Sequence, residues 1–339
     1  MINILLADKF ESQHLDSFKN GLGQGFEVAV YTGEGDCLVE MAKKADIIVA
    51  YSKDTTAEII DAAKNLKLVV KLGTAKGNID MDTLAARNIP MVITDSPALI
   101  SVAEHAFMFM LALSKEVVYS NFGVRASLNP LNMKTVESSQ LEMAYNWLDL
   151  KKFDSMYGKT LGIIGLGTVG KRLTKMAHGF DMEVMYYSIP RLSSEEENRL
   201  NVRYGCFEEV LSSSDFISTH LNLNDSTRAI FNAAAFRKMK KTAYFINTSR
   251  GPVVCEKDLC KALEEGVIAG AGIDVYEVEP LPENSPLKKL DNVILTAHSA
   301  GIQLHKSLFT EFKQCAQVIK TINRLERLYA DIIKMRYCN

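Results

Sequence analysis

Residues 161–170 read LGIIGLGTVG and set Gly165, Gly167 and Gly170 in the spacing G-x-G-x-x-G. The spacing alone is weak evidence, but its setting strengthens it. An apolar run, Leu161–Gly165, precedes the glycines and a helix-forming stretch, Thr168–Gly179, follows them. In such a strand-to-helix turn the first glycine permits a tight bend. The second lets the backbone approach a pyrophosphate, and the third lets the helix pack close to the strand. The amides of Thr168 and Val169 at the helix start, together with the helix dipole, favour an anion. The segment therefore reads as a dinucleotide cradle opening a doubly wound α/β unit.

Working outward, apolar runs of strand length recur downstream at Glu183–Tyr187, Phe216–His220, Ala243–Asn247, Gly270–Asp274 and Val293–Thr296. Upstream they occur at Ile2–Ala7, Glu27–Tyr31, Ala45–Ala50, Leu68–Leu72 and Met91–Thr94, separated by helix-permissive stretches such as Thr55–Asn65 and Asp82–Arg87. Strands alternating with helices predict parallel sheets covered on both faces. The expected class is α/β, with two doubly wound parallel-sheet domains: a flavodoxin-like substrate domain and a Rossmann nucleotide-binding domain, with a cleft between them. A chain of 339 residues exceeds one ordinary core. The substrate domain is expected over 1–104 plus 300–339 and the nucleotide domain over 105–299.

Ser101, with Glu104 three residues on, has capping-box spacing, and the apolar pattern of AFMFMLALSKEVVYSNF predicts one long buried helix after it. The segment at about 120–157, which holds the only tryptophan, Trp147, reads as a dimerisation arm. The stretch Leu304 to Met335 reads as helical.

A net charge of −2 argues against nucleic-acid or membrane-surface binding. No apolar run reaches bilayer length. The N-terminal MINILLADKF lacks the pattern of a signal peptide. Cysteines 37, 206, 255, 260, 315 and 338 match no common zinc spacing and suit a reducing cytoplasm; no metal site is expected.

The end of the strand Glu183–Tyr187 bears on the choice of cofactor. NAD sites usually place an acid there, but this chain has Ser188 followed by Ile189, Pro190 and Arg191. A serine hydroxyl and a guanidinium suit a 2′-phosphate. The cofactor expected is NAD(P), with NADP favoured over NAD.

Three chemically useful residues lie just past strands of the second unit: Arg250 in NTSRG, Glu279 in DVYEVEP and His298 in TAHSAG. In open α/β sheets ligands bind beyond the carboxyl ends of the strands. A histidine moves a proton near neutral pH, a carboxylate orients it and favours its cation, and an arginine holds a substrate carboxylate. This set suits hydride transfer at C2 of a small 2-oxo or 2-hydroxy acid. His220 also follows a strand and is a rival base, but no acid obviously pairs with it.

The stretches GKTLGIIGLGTVGK, NTSRGPVV, GAGIDVYEVEPL and NVILTAHSAG, in this order, resemble the D-isomer-specific 2-hydroxyacid dehydrogenase family. The resemblance covers nearly the whole chain. It implies Arg250, Glu279 and His298 as the catalytic set, with Asp274 facing the nicotinamide amide, and Val102 near the same ring. Thr248, in the NTSRG block, is expected to contact the cofactor. The family's substrate-carboxylate loop falls on Gly73–Gly77, so Thr74, Ala75, Lys76 and Gly77 are implied as substrate contacts. The resemblance also implies a C-terminal helix that returns to the first domain, and a homodimer.

The chain departs from the family pattern at Ala297, where proline usually precedes the histidine, and at Asn222. It departs again at Cys255, which replaces a capping aspartate. Lys76 is unusual for the family and suggests either a dianionic substrate or a lysine in solvent. A lysine–glycine pair also occurs in phosphite dehydrogenase, so phosphite is a second substrate reading. Formate fits less well, because formate dehydrogenases of this fold replace the Glu279 equivalent with an amide. Some relatives are transcriptional corepressors, which leaves a nucleotide-sensing binding protein as the non-enzymatic alternative.

Overall fold

Aliphatic runs bounded by glycine, proline and polar residues become strands, and the central ones are wholly buried, because a parallel sheet covered on both faces leaves no polar side. In the computed structural model, which describes residues 1–33, 37–73, 78–94, 96–302 and 307–337, these runs form two separate parallel sheets. The first contains β1 (Ile2–Leu6), β2 (Phe26–Val30), β3 (Ile47–Ala50), β4 (Leu68–Lys71) and β5 (Met91–Ile93), in the order β2-β1-β3-β4-β5. The second contains β6 (Thr160–Ile164), β7 (Glu183–Tyr187), β8 (Arg203–Tyr204), β9 (Phe216–Thr219), β10 (Tyr244–Asn247), β11 (Gly270–Ile273) and β12 (Val293–Leu295), in the order β12-β11-β10-β9-β6-β7-β8. The expected α/β class and pair of doubly wound sheets are therefore present. The short β8 is absent from the sequence reading because two residues carry no periodicity.

Met1–Ala98 and Gln303–Asn339 form one unit, and Leu99–Ile302 the other. The helix Ala98–Ser114 thus belongs almost whole to the second unit instead of being divided after residue 104. In the first unit the C-terminal helix Ser307–Tyr337 lays Phe312, Cys315, Ala316 and Ile319 against Ile4, Leu6, Phe18 and Val70. This is the return expected of the C-terminal segment.

Two helix expectations need correction. Ser101 is not a cap. The helix begins one turn earlier, at Ala98, directly after Pro97, a residue preorganised for a first turn. Nor is the apolar stretch one helix. It breaks at Glu116, whose φ is +46°, and restarts as Val117–Arg125 at 59° to the first piece. The first piece buries Ala103, Ala106, Phe109 and Met110 in the core over β6 and β7, whereas the second exposes Val118, Tyr119 and Phe122. The segment from 126 to 159 has no regular secondary structure.

Candidate active site

Register positions the site. Ile164, Thr219, Asn247, Ile273 and Leu295 are aligned across the second sheet. The residue after each therefore emerges on one carboxyl edge: Gly165, His220, Thr248, Asp274 and Thr296. The order reverses at β6, with β9 on one side and β7 on the other, which is where such sheets bind ligands.

The glycine turn has the contacts expected of a cradle. Gly165 has φ +96°, and a β-carbon on it would meet the His220 carbonyl at 2.9 Å. Gly170 packs against the Gly165 carbonyl and Ile163. A β-carbon on Gly167 would meet nothing within 4 Å. Gly167 caps the helix Thr168–His178 without any side-chain cap bond, so the opening amides at Thr168 and Val169 have no side-chain cap. Nearby, the buried Thr219 and Thr248 hydroxyls find no protein partner. Open space over Gly167, a bare helix start and orphaned buried hydroxyls fit a dinucleotide.

The strand-end chemistry at β7 differs from expectation in one respect. Ser188 stands there as read, but Arg191 is already engaged. Its Nε and Nη2 donate to Glu197 at 2.7 and 2.8 Å, and its guanidinium lies 4.5 Å from the Tyr204 ring. Tyr186 donates to the same carboxylate at 2.6 Å. The hydrogen bonds from Arg191 and Tyr186 hold the Glu197 carboxyl down at about 2.

Asn247 builds the arginine loop. Its Oδ1 accepts from the Ser249 amide and hydroxyl, and its Nδ2 donates to the Arg250 carbonyl. The exposed Arg250 guanidinium donates to the Ser249 carbonyl at 2.6 Å. Gly251 packs directly against the backbone of Tyr276 and Glu277, bringing this loop alongside the one that carries Glu279.

Glu279 and His298 meet. His298 Nδ1 donates to Glu279 Oε2 at 2.7 Å, and the Tyr276 amide donates to Oε1 at 3.0 Å. Burial pushes the Glu279 carboxyl up, but the bonds from His298 and Tyr276 outweigh it and leave it below its ordinary value. His298 is half exposed and has φ +51°. That backbone conformation costs a non-glycine residue on the order of 1–3 kcal/mol unless its surroundings hold it. The holding group is Asp274, fully buried, whose carbonyl accepts the His298 amide at 2.8 Å. Its carboxylate accepts the Ser299 and Ala300 amides, both at 2.9 Å, and the Thr296 hydroxyl at 2.5 Å.

Sequence reasoning missed His105, Thr296 and Tyr276. His105 Nε2 lies 3.0 Å from Thr296 Oγ1, and the Tyr276 hydroxyl donates to the Thr296 carbonyl at 2.6 Å. Burial pushes the Tyr276 phenol up to about 12, so it remains a donor. The available signal was a histidine in a mostly apolar helix, since a buried polar group requires a partner. Val102 lies on the same helix, 3.6 Å from where a Gly301 β-carbon would be. Cys255 precedes the helix Glu256–Glu264 and makes no side-chain cap bond. An edge of His220 reaches solvent, yet burial pushes its imidazole down to about 4; it bonds Ser218 and no acid. Thr74, Ala75, Lys76 and Gly77 lie outside the described residues.

A glycine cradle, a histidine–glutamate pair and an arginine on adjoining loops are the equipment of a dinucleotide-dependent hydroxy-acid enzyme. Residues 108–300 match the family model for the D-isomer specific 2-hydroxyacid dehydrogenase, NAD binding domain. The chain belongs to this family. The dehydrogenase is 37% identical to a glyoxylate reductase of Korarchaeum cryptofilum over 268 residues, 78% of this chain and 76% of the relative. It is 36% identical to a glyoxylate reductase of Pyrococcus furiosus over 284 residues, 82% of this chain and 81% of the relative. Its fold resembles apo D-mandelate dehydrogenase of Rhodotorula graminis, with a TM-score of 0.70 at 24% identity and 92% of each chain covered. It is an NAD(P)-dependent oxidoreductase of 2-hydroxy and 2-oxo acids.

Proposed function

We propose that this dehydrogenase reduces a small 2-oxo acid of glyoxylate or hydroxypyruvate size, with His298 as the proton donor. The observation carrying the reading is the 2.7 Å bond from His298 Nδ1 to Glu279. With Nδ1 committed to the carboxylate, Nε2 is the nitrogen left for substrate. The glycine turn Gly165–Gly170 would hold a reduced dinucleotide, which when bound would supply the hydride that C2 takes up. The carbonyl electron pair moves onto oxygen, which takes the proton from His298 Nε2. Glu279 stays ionised and stabilises the imidazolium before transfer. Arg250 holds the substrate carboxylate and polarises the carbonyl. Oxidation of the hydroxy acid runs through the same groups in reverse.

The test is turnover of NADH and NADPH with a panel of 2-oxo acids, in wild type and in His298→Ala and Arg250→Ala. Each substitution should lower kcat/KM by at least about 10². Near-wild-type turnover in either variant overturns the assignment. Dinucleotide binding without turnover of any acid by the wild type would favour a nucleotide-sensing protein.

Two finer features belong to the same proposal. NADP is the preferred dinucleotide, on the support of Ser188 and the lack of a carboxylate at the end of β7. Arg191 contributes modestly, because two of its nitrogens are bound to Glu197. A higher kcat/KM with NADH removes this part. The working form is a homodimer in a reducing cytoplasm. The exposed Val118, Tyr119, Phe122, Tyr145 and Trp147 support the first, and the free thiols of Cys37, Cys206, Cys255, Cys260 and Cys315 the second.

A further inference from the structure

His105 lies on the helix Ala98–Ser114 with its side chain mostly buried. Its Nε2 is 3.0 Å from Thr296 Oγ1 and 3.7 Å from Asp274 Oδ1. Thr296 Oγ1 in turn is 2.5 Å from Asp274 Oδ1. A hydroxyl has one hydrogen. Asp274 already accepts backbone amides on both oxygens, so its carboxylate accepts from Thr296 as well. The Thr296 hydrogen is therefore spent, and its oxygen accepts from His105. This assigns the proton of His105 to Nε2. The ring is held edge-on to Phe109 at 4.8 Å, and Phe109 is seated so close to Gly272 that a β-carbon there would meet it at 2.5 Å.

We infer that His105 is a positioning residue that sets His298 for proton transfer through Thr296 and Asp274. The inference rests on the reading of His298 as the proton donor. Asp274 holds residues 298, 299 and 300 by its carbonyl and both carboxylate oxygens. His298 needs such holding, because its φ of +51° is unfavourable for a histidine. Thr296 is clamped at both ends, by Tyr276 at its carbonyl and by Asp274 at its hydroxyl. His105 is the donor to the Thr296 oxygen and holds that side chain against Asp274. Without it the buried Thr296 oxygen loses its donor, and the side of Thr296 and Asp274 that the imidazole packs against is left unfilled. The loop carrying His298 then relaxes. A displacement of about 1 Å in a reacting group can cost up to about 10² in rate.

The test uses the full-length enzyme with saturating dinucleotide and compares His105→Leu, Thr296→Val, Thr296→Ser and the double variant H105L/T296V. Both single losses of the bond should lower kcat at least about tenfold with a smaller change in KM, since the substrate contacts remain. Thr296→Ser keeps the hydroxyl and should recover most of the rate. The double variant should fall no further than the worse single, because one chain is being cut twice. Amide exchange over residues 296–301 should speed up in His105→Leu, and this readout does not depend on turnover. Folded His105→Leu and Thr296→Val enzymes with kcat within about twofold of wild type would overturn the inference. So would double-variant losses that multiply, or unchanged exchange at His298, Ser299 and Ala300. If His105→Leu does not fold, Thr296→Val against Thr296→Ser decides. A wild type without 2-oxo acid turnover would sink the functional reading, while the exchange measurement still judges this one.

Discussion

A β-carbon on Gly251 would lie 1.7 Å from the carbonyl oxygen of Tyr276. The arginine and glutamate loops are thus in backbone contact at a point where only hydrogen fits. The Glu256 amide donates to Glu277, and the Glu277 amide to Glu256, tying the same loops together. Gly251→Ala must push them apart. Overpacking of this kind costs about 1–3 kcal/mol or more. We expect a lower Tm and at least about a tenfold loss in kcat/KM, since Arg250 moves with its loop. An alanine variant matching wild type in both would show that the contact yields freely.

Gly167 and Gly170 should respond oppositely to alanine. At Gly167 the methyl enters open space, so stability should change by less than about 1 kcal/mol, the scale of an N-cap change. The same methyl occupies the path of the pyrophosphate, and the Kd for NADH should rise at least about tenfold. At Gly170 the methyl would meet the Gly165 carbonyl at 2.9 Å, so the fold itself should weaken. Thermal unfolding and fluorescence titration separate the two effects. Unimpaired NADH binding by Gly167→Ala would refute the cradle.

His220 should make the fold acid-sensitive. Its imidazole is depressed to about 4 when folded, below the ordinary histidine value of about 6.5 in the unfolded chain. Between these values the unfolded chain binds the proton more readily, so stability is full above about pH 6.5 and falls as pH drops toward 4. Urea unfolding at pH 7.5 and pH 5 should show this loss in wild type and a smaller one in His220→Gln. Equal losses in the two proteins would remove His220 as the cause.

The exposed face of the helix Val117–Arg125 should behave as an interface. Phe122 is 62% exposed and Val118 57%, and with the neighbouring Tyr119 they form an apolar strip that monomers rarely leave in water. A cavity of about 720 Å³ beside them is lined by Tyr119, Phe122, Leu150 and Ile294. Phe122→Asp should reduce the mass measured by light scattering from dimer to monomer. A wild-type protein already monomeric at micromolar concentration would contradict the homodimer.

Much of the site was legible because local chemistry repeats in the chain. The glycine turn, the strand ends and the three residues proposed to react each follow a short apolar run, and a parallel sheet brings the residues just past such runs to one edge. Arg191 shows the limit. As a residue type it suits a phosphate, but Glu197, six positions on, already holds it, and that pairing depends on how the loop folds back. The broken helix at Glu116 shows another limit. Ser114, Lys115 and Glu116 interrupt the apolar pattern there, but a polar turn is ordinary within a helix, so the pattern did not mark the bend.

The order of residues along the chain determined the two parallel sheets, the glycine turn and the placement of Arg250, Glu279 and His298 just past strands of the second sheet, because each arises from local propensity and short-range spacing. Tertiary structure alone decided which nitrogen of His298 is committed to Glu279, and that His105, far away along the chain, supports the same loop through Thr296 and Asp274. Those relations depend on distances of a few ångströms between remote segments, which no local pattern encodes.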